Sequence, residues 1–190
     1  MKTKTIVIIT VILLCLASGI YLYQTNKGVA TVTEAIEQSG RNVYGMLYQE
    51  NTSNGAVVFF KSKLLDNSYS LNAGYVKKGL LGWKWVWGGG CSEGYKQYFP
   101  DVSGTPFPLF YGGITDGKIN NIEIRDKEQN YIQTAKIEGI GSDRIWFAFL
   151  NKSDGPDFNI VYLSDKGEVI KSESINVTET SHAETHKVTD

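Results

Sequence analysis

Hydrophobic and polar positions divide this chain into three regimes. Residues Thr5 to Tyr23 (TIVIITVILLCLASGIYLY) form an uncharged, almost wholly apolar run behind Lys2 and Lys4. From Thr31 to Gly40 apolar residues recur at helical spacing, and from Asn42 they come in short runs punctuated by Asn-Gly, Asp-Gly and Lys-Gly. At about 1.5 Å rise per residue the first run makes a helix of roughly 28 Å, close to the hydrocarbon thickness of a bilayer, and predicts a transmembrane helix over 5–23.

A cleaved signal peptide is the competing reading, because Ala17-Ser18-Gly19 offers small residues to a leader peptidase. Ile20, Tyr21, Leu22 and Tyr23 continue the apolar stretch past that point, which favours an uncleaved anchor. Tyr21 and Tyr23 then sit at headgroup level. Lys2 and Lys4 on one flank against Lys27 on the other place the N-terminus inside and the bulk of the chain outside. Cys15 follows Leu14 rather than the small residue that bacterial lipidation wants, so it reads as a small hydrophobe of the helix.

After a polar linker, 24–30, Thr31 and Glu34 have the spacing of a capping box. Val32, Ala35, Ile36 and Ser39 share one side of the predicted helix and Gly40 is placed to end it. That face is expected to pack on a sheet, the alternative being a juxtamembrane stalk. Beyond it the pattern predicts strands over 43–49, 56–61, 69–76, 80–87, 109–114, 119–125, 131–138, 144–150, 158–163 and 168–172. Residues 51–55 (Asn-Thr-Ser-Asn-Gly) read as a hairpin loop, Asp116-Gly117 as a two-residue turn between strands, and 88–108 as a loop. The fold class is therefore mainly β: an antiparallel sandwich or barrel-like sheet with one short N-terminal helix, preceded by a transmembrane helix. The echo between AVVFFKSK and WFAFLNKS admits a duplicated sheet unit, although alternating apolar patterning produces such echoes unaided. From Glu173 the chain turns to Ser, Thr, Glu and His, so 173–190 reads as a disordered tail and 31–172 as one extracytoplasmic domain.

Charge narrows the partners. Setting aside Lys2, Lys4 and Lys27 leaves sixteen basic against twenty acidic residues, a formal charge of −4 outside the membrane. No basic stripe is left to neutralise phosphates, which argues against nucleic acid. Outside the anchor Cys91 is the one cysteine, so no internal disulfide staples the domain, and at this size that fits a bacterial surface better than an animal extracellular module. The sequons at Asn51, Asn151 and Asn176 read as turn and tail chemistry in that setting.

The candidate chemistry centres on Gly82 to Cys91, GWKWVWGGGC. Strand alternation would aim Trp83, Trp85 and Trp87 at one face as a ledge, extended by Tyr95, Tyr98 and Phe99, while Gly88 to Gly90 would let a ligand approach the backbone. Core packing of the indoles is the plainer alternative. The glycine triplet fits neither phosphate-loop pattern, since the sixth position from Gly88 is Glu93. Cys91 has no histidine near it in sequence, both histidines being in the tail, and so reads as an inert thiol. His182 and His186 have the spacing of a zinc helix, but Glu184 is one position late for H-E-x-x-H. Asp154 and Asp157 flank Gly155-Pro156 and read as a turn, and Gly155 is fifth rather than sixth from Asn151, as a calcium loop would need. No metal and no cofactor is expected.

The anchor, the AIEQS helix and then GAVVFFKS, GYVKKGLLGWKWVWGGG and KSDGPDF together resemble small uncharacterised membrane-anchored surface proteins of Gram-positive bacteria. The resemblance covers most of the chain, implies a location at the envelope and brings no catalytic motif. The expectation is a non-enzymatic binding domain displayed outside the membrane, with the bilayer and an envelope glycan or protein as partners. The alternatives are a carboxylate-dependent hydrolase of wall glycans, which needs two acidic side chains about 5 to 10 Å apart beside the indoles, and a structural envelope subunit.

Overall fold

The computed structural model describes residues 2–92, 96–129, 131–139, 141–152 and 154–180. Helix α1 runs over Lys2–Asn26. Its side chains are described for residues 9–21 and Tyr23, and among the described residues no helix is long and apolar enough to cross a membrane.

Helix α2, Val32–Gln38, has the predicted capping box. The Glu34 N–H donates to Thr31 Oγ1 at 3.2 Å, and Glu34 Oε2 accepts from the N–H groups of Thr31 and Ala30 at 3.2 and 3.0 Å. Gly40, at φ +85°, ends the helix, a conformation that costs glycine nothing. Ala35 and Ile36 are buried against Ala56, Val58, Phe60 and Val76, so α2 is a packed helix and not a free stalk.

Among the described residues twelve strands form three four-stranded antiparallel sheets. The first is the meander β1 (Gly45–Thr52), β2 (Gly55–Lys63), β3 (Tyr69–Gly79) and β4 (Gly82–Ser92). The second has the order β5-β6-β10-β9, with β5 Lys96–Phe99, β6 Leu109–Ile114, β9 Lys136–Glu138 and β10 Arg144–Phe149. The third has the order β12-β11-β7-β8, with β7 Asn121–Asp126, β8 Ile132–Thr134, β11 Asp157–Leu163 and β12 Val169–Asn176.

Residue parity shows how these sheets stack. Leu109, Tyr111, Ile145 and Phe147 of the second sheet share a core with Val57, Phe59, Leu71, Ala73 and Tyr75 of the first. Their neighbours Phe110, Trp146 and Ala148 point the other way, into a core with Ile122, Ile124, Phe158, Ile160 and Tyr162 of the third. The second sheet is thus buried on both faces, which is why LFYGGI and IWFAFL read as unbroken apolar runs without alternation. The Tyr111 hydroxyl, inside the first of these cores, donates to Gln97 Oε1 at 2.7 Å and reaches the Gly89 carbonyl at 3.2 Å.

Several sequence expectations change. Asp116-Gly117 does not close a hairpin: β6 pairs with β5 and β10 in the second sheet, whereas β7 pairs with β8 and β11 in the third. The turn, in which Asp116 Oδ1 accepts the Lys118 N–H at 2.9 Å, carries the chain between layers. The single strand expected over 131–138 is two, because the chain changes sheet at buried Ala135. Part of the expected loop 88–108 is strand, completing β4 and forming β5. The tail read as disordered from Glu173 continues β12 to Asn176, and Val177, opening the short helix α3 (Val177–Thr180), is buried in the core beside the third sheet. The repeat also lies elsewhere than the echo suggested. Exchanging β5–β8 for β9–β12 maps each of the last two sheets onto itself, giving a pseudo-twofold topology in which each unit contributes one hairpin to each sheet.

Candidate functional site

The three tryptophans of β4 do not make one ledge. Tyr75 pairs with Trp87 and Val76 with Trp85, so Val86 is an extra residue and a bulge reverses the facing of the strand between Trp85 and Trp87. Trp83 and Trp85 fall on the α2 side, while Trp87 turns into the core between the first two sheets. There its ring lies 4.5 Å from Phe99 and 5.8 Å from Phe107, both edge-on. All three indoles are partly buried.

Trp85 lies across the facing glycines Gly74 and Gly88 of β3 and β4, and a Cβ at Gly74 would overlap its ring. The Arg41 guanidinium covers the indole at 4.5 Å, donating to the Gly88 carbonyl and to Ser39 Oγ at 3.0 Å each. Partial burial pulls the Arg41 pKa below its ordinary value. A Cβ at Gly90 would likewise overlap the Asn72 side chain. Gly88 and Gly90 therefore admit the protein's own side chains, which corrects the reading of them as an approach for ligand. Cys91 is half-buried against the same core as Trp87.

Tyr95 lies outside the described residues, as do His182 and His186. Tyr98 is separated from the indoles and lines a cleft of about 340 Å³ between β5 and β12, together with Lys96, Phe110, Ser174, Ile175 and Asn176. Both strands are sheet edges, so the cleft runs between two edges whose backbone groups face outward. Its floor is aromatic, Tyr98 and Phe110 being 5.0 Å apart. Its rim is polar: Ser174 Oγ donates to Asn159 Oδ1 at 2.6 Å and accepts from Lys127 Nζ at 3.1 Å, and Asn176 Nδ2 donates to Asp157 Oδ1 at 3.0 Å.

The charged residue that lines this cleft is Lys96, and beside it Glu173 forms ion pairs with both Lys96 and Lys171. Burial, and next the Lys171 charge, lower the Lys96 pKa. Burial, followed by the charges of Asp101 and Asp154, raises that of Tyr98 and keeps its phenol neutral. The cleft thus combines an aromatic floor with hydroxyl, amide and ammonium groups around it. Among the described residues no group of His, Cys, Asp and Glu could hold a metal ion.

Sequence reading found Tyr98 but missed Lys96, Glu173, Ser174 and Asn176, because it assigned both flanking segments to loop and tail. The alternation of Ile175 and Val177 with the polar Ser174 and Asn176 was the signal that could have extended β12. It also missed Asp126, a buried carboxylate whose Oδ1 accepts the N–H groups of Glu128 and Gln129 at 2.8 and 3.0 Å and whose Oδ2 accepts that of Gly155 at 2.8 Å. Burial opposes its ionisation, but the three donors prevail and hold its pKa below the usual carboxylate value. Asp154 and Asp157 serve local structure, Asp154 Oδ2 accepting the Asn151 N–H at 2.8 Å and Asp157 holding Asn176.

No family model matches the chain, and neither a curated protein nor a solved structure shows significant similarity to it.

Proposed function

We propose that this protein is a membrane-tethered, extracytoplasmic binding domain in which α1 is the tether and the β5–β12 cleft receives the ligand. The observation that carries the proposal is the exposure of α1: its described large apolar side chains between Ile9 and Tyr23 are 52–67% exposed. Side chains about 100° apart around a helix axis, such as Ile9, Val11, Ile12, Leu13, Leu14 and Leu16, cover every face. A helix apolar all round and unburied by its own protein requires an apolar surrounding, and a bilayer supplies it. The 25 residues of α1 measure roughly 37 Å at helical rise, and the sequence carries the apolar run 5–23 along it, which extends beyond the described side chains that by themselves fall short of a spanning length.

Binding is favoured over hydrolysis by the state of the carboxylate paired with the cleft residue Lys96. Glu173, bridged by two ammonium groups, is an electrostatic fixture rather than a group poised to pass a proton. The strand orders list separate edge strands in each sheet, which supports a stacked sandwich over a closed barrel.

The tether is tested by fractionating cells that express the full chain. The expected result is a membrane pellet that resists alkaline carbonate, with the β-domain digested by protease added to intact cells. Recovery of the uncleaved chain in the soluble fraction, or protection of the domain in intact cells, would overturn the proposal. The cleft is tested by titrating muropeptides against the membrane-reconstituted protein and its Tyr98→Ala variant, with binding expected to weaken in the variant.

A further inference from the structure

We infer that the β3–β4 hairpin tip is a second membrane contact, seated on the anionic headgroup surface beside the exit point of α1. The inference rests on the reading of α1 as the tether. Its basis is a backbone clasp between the residues that follow α1 and the hairpin. The Gly28 N–H donates to the Leu81 carbonyl at 3.0 Å, and Val29 and Trp83 exchange two hydrogen bonds at 2.9 and 2.8 Å.

The clasp needs glycine on both sides. A Cβ on Gly28 would come within 2.5–2.8 Å of the Gly82 and Trp83 backbone, and Gly82 has φ +115° with its own Cβ direction blocked by Val29. The hairpin therefore cannot drift from the helix end. From Tyr23, three helical residues and two extended ones allow about 12 Å at most, the scale of a headgroup layer.

What the clasp holds there has the composition of an interfacial segment. The turn residue Leu80 is fully exposed and Leu81 is 40% exposed at this tip, whereas Leu65, the other fully exposed leucine of the sheet, lies in the β2–β3 loop at the far end of β3, away from the clasp. Lys27, Lys77, Lys78 and Lys84 are all exposed around them, with Lys78 Nζ 5.4 Å from the Trp83 ring. No acidic residue occurs in 24–30 or 77–92, although the domain as a whole carries negative charge. Two leucines at a tip, ringed by lysines and backed by an indole, match the apolar, cationic and aromatic demands of a bilayer surface rich in anionic lipid.

The test uses the full chain in vesicles of phosphatidylcholine mixed with phosphatidylglycerol, with Cys15→Ser and Cys91→Ala as background. An environment-sensitive fluorophore is placed at Leu80→Cys or, for comparison, at Asp165→Cys in the β11–β12 turn. With vesicles that float the protein, the position-80 label is expected to shift to the blue and to lose emission to a headgroup-level nitroxide lipid, while the position-165 label does neither. Reversal of Lys77 and Lys78 to Glu is expected to reduce that loss. Flotation with the two labels equally quenched would overturn the second contact and leave the tether standing. Failure of the chain to float would overturn the tether, and the contact with it.

Discussion

Phe59 of β2 and Phe147 of β10 stack with ring centroids 4.7 Å apart and planes 29° from parallel, and this pair joins the first sheet to the second. Both rings are buried at the centre of the core between those sheets, where Tyr111 meets Phe59 edge-on at 6.0 Å. Phe147→Ala is expected to cost about 3–5 kcal/mol through lost transfer energy and an unfilled cavity. Urea unfolding at constant slope would read this as a lower midpoint; an unchanged midpoint would contradict the stacking of the two sheets.

Gly74 has a different sensitivity. Its Cβ direction is filled by the Trp85 ring, so Gly74→Ala must displace the indole from its seat under Arg41, at an expected cost of about 1–3 kcal/mol. Near-ultraviolet circular dichroism is expected to change with stability, since the aromatic environment itself moves. Gly117→Ala, where the added atom meets open space, is the control and should leave both signals in place.

Asp126 sets an acid limit. Its folded pKa lies below the unfolded value of about 3.9, so its stabilisation is complete above that value and disappears as pH falls through the folded pKa. Unfolding midpoints of the wild type are therefore expected to drop below about pH 4, and Asp126→Asn should flatten that part of the profile. At neutral pH Asp126→Ala strands three backbone donors and is expected to cost about 1–3 kcal/mol.

Lys136 ties the β9 edge to the β1 edge from the solvent side. Its ammonium donates to Tyr48 Oη at 2.6 Å and Glu50 Oε2 at 2.7 Å, lies 4.8 Å from the Tyr48 ring, and has a raised pKa for which the Glu50 hydrogen bond is the largest cause. With the folded pKa raised, its contribution is present below about pH 10 and lost as pH rises through the folded value. Because Lys136 is 45% exposed, Lys136→Met is expected to cost no more than about 1 kcal/mol, and less still in high salt. A large, salt-independent loss would show that the network supports packing as well as charge.

Local chemistry determined what the sequence alone could fix. The Thr31–Glu34 capping box and the Gly40 stop depend on residues three to nine apart, and β1–β2 closes where Asn54-Gly55 placed it. Mainly antiparallel β structure followed from short apolar runs between turn residues. Pairing and facing were decided only by the tertiary structure. An Asp-Gly turn looks the same whether it closes a hairpin or carries β6 into another layer, because the difference lies in which distant strand, β10 or β11, covers the next edge. The Val86 bulge is equally invisible to alternation, since one unpaired residue on β4 is defined only against β3 and sends Trp87 into the opposite core. The cleft needed both effects: β5 and β12 are seventy or more residues apart along the chain, from Phe99 to Val169 and beyond, and only the stacking of the second sheet on the third brings Lys96 to Glu173.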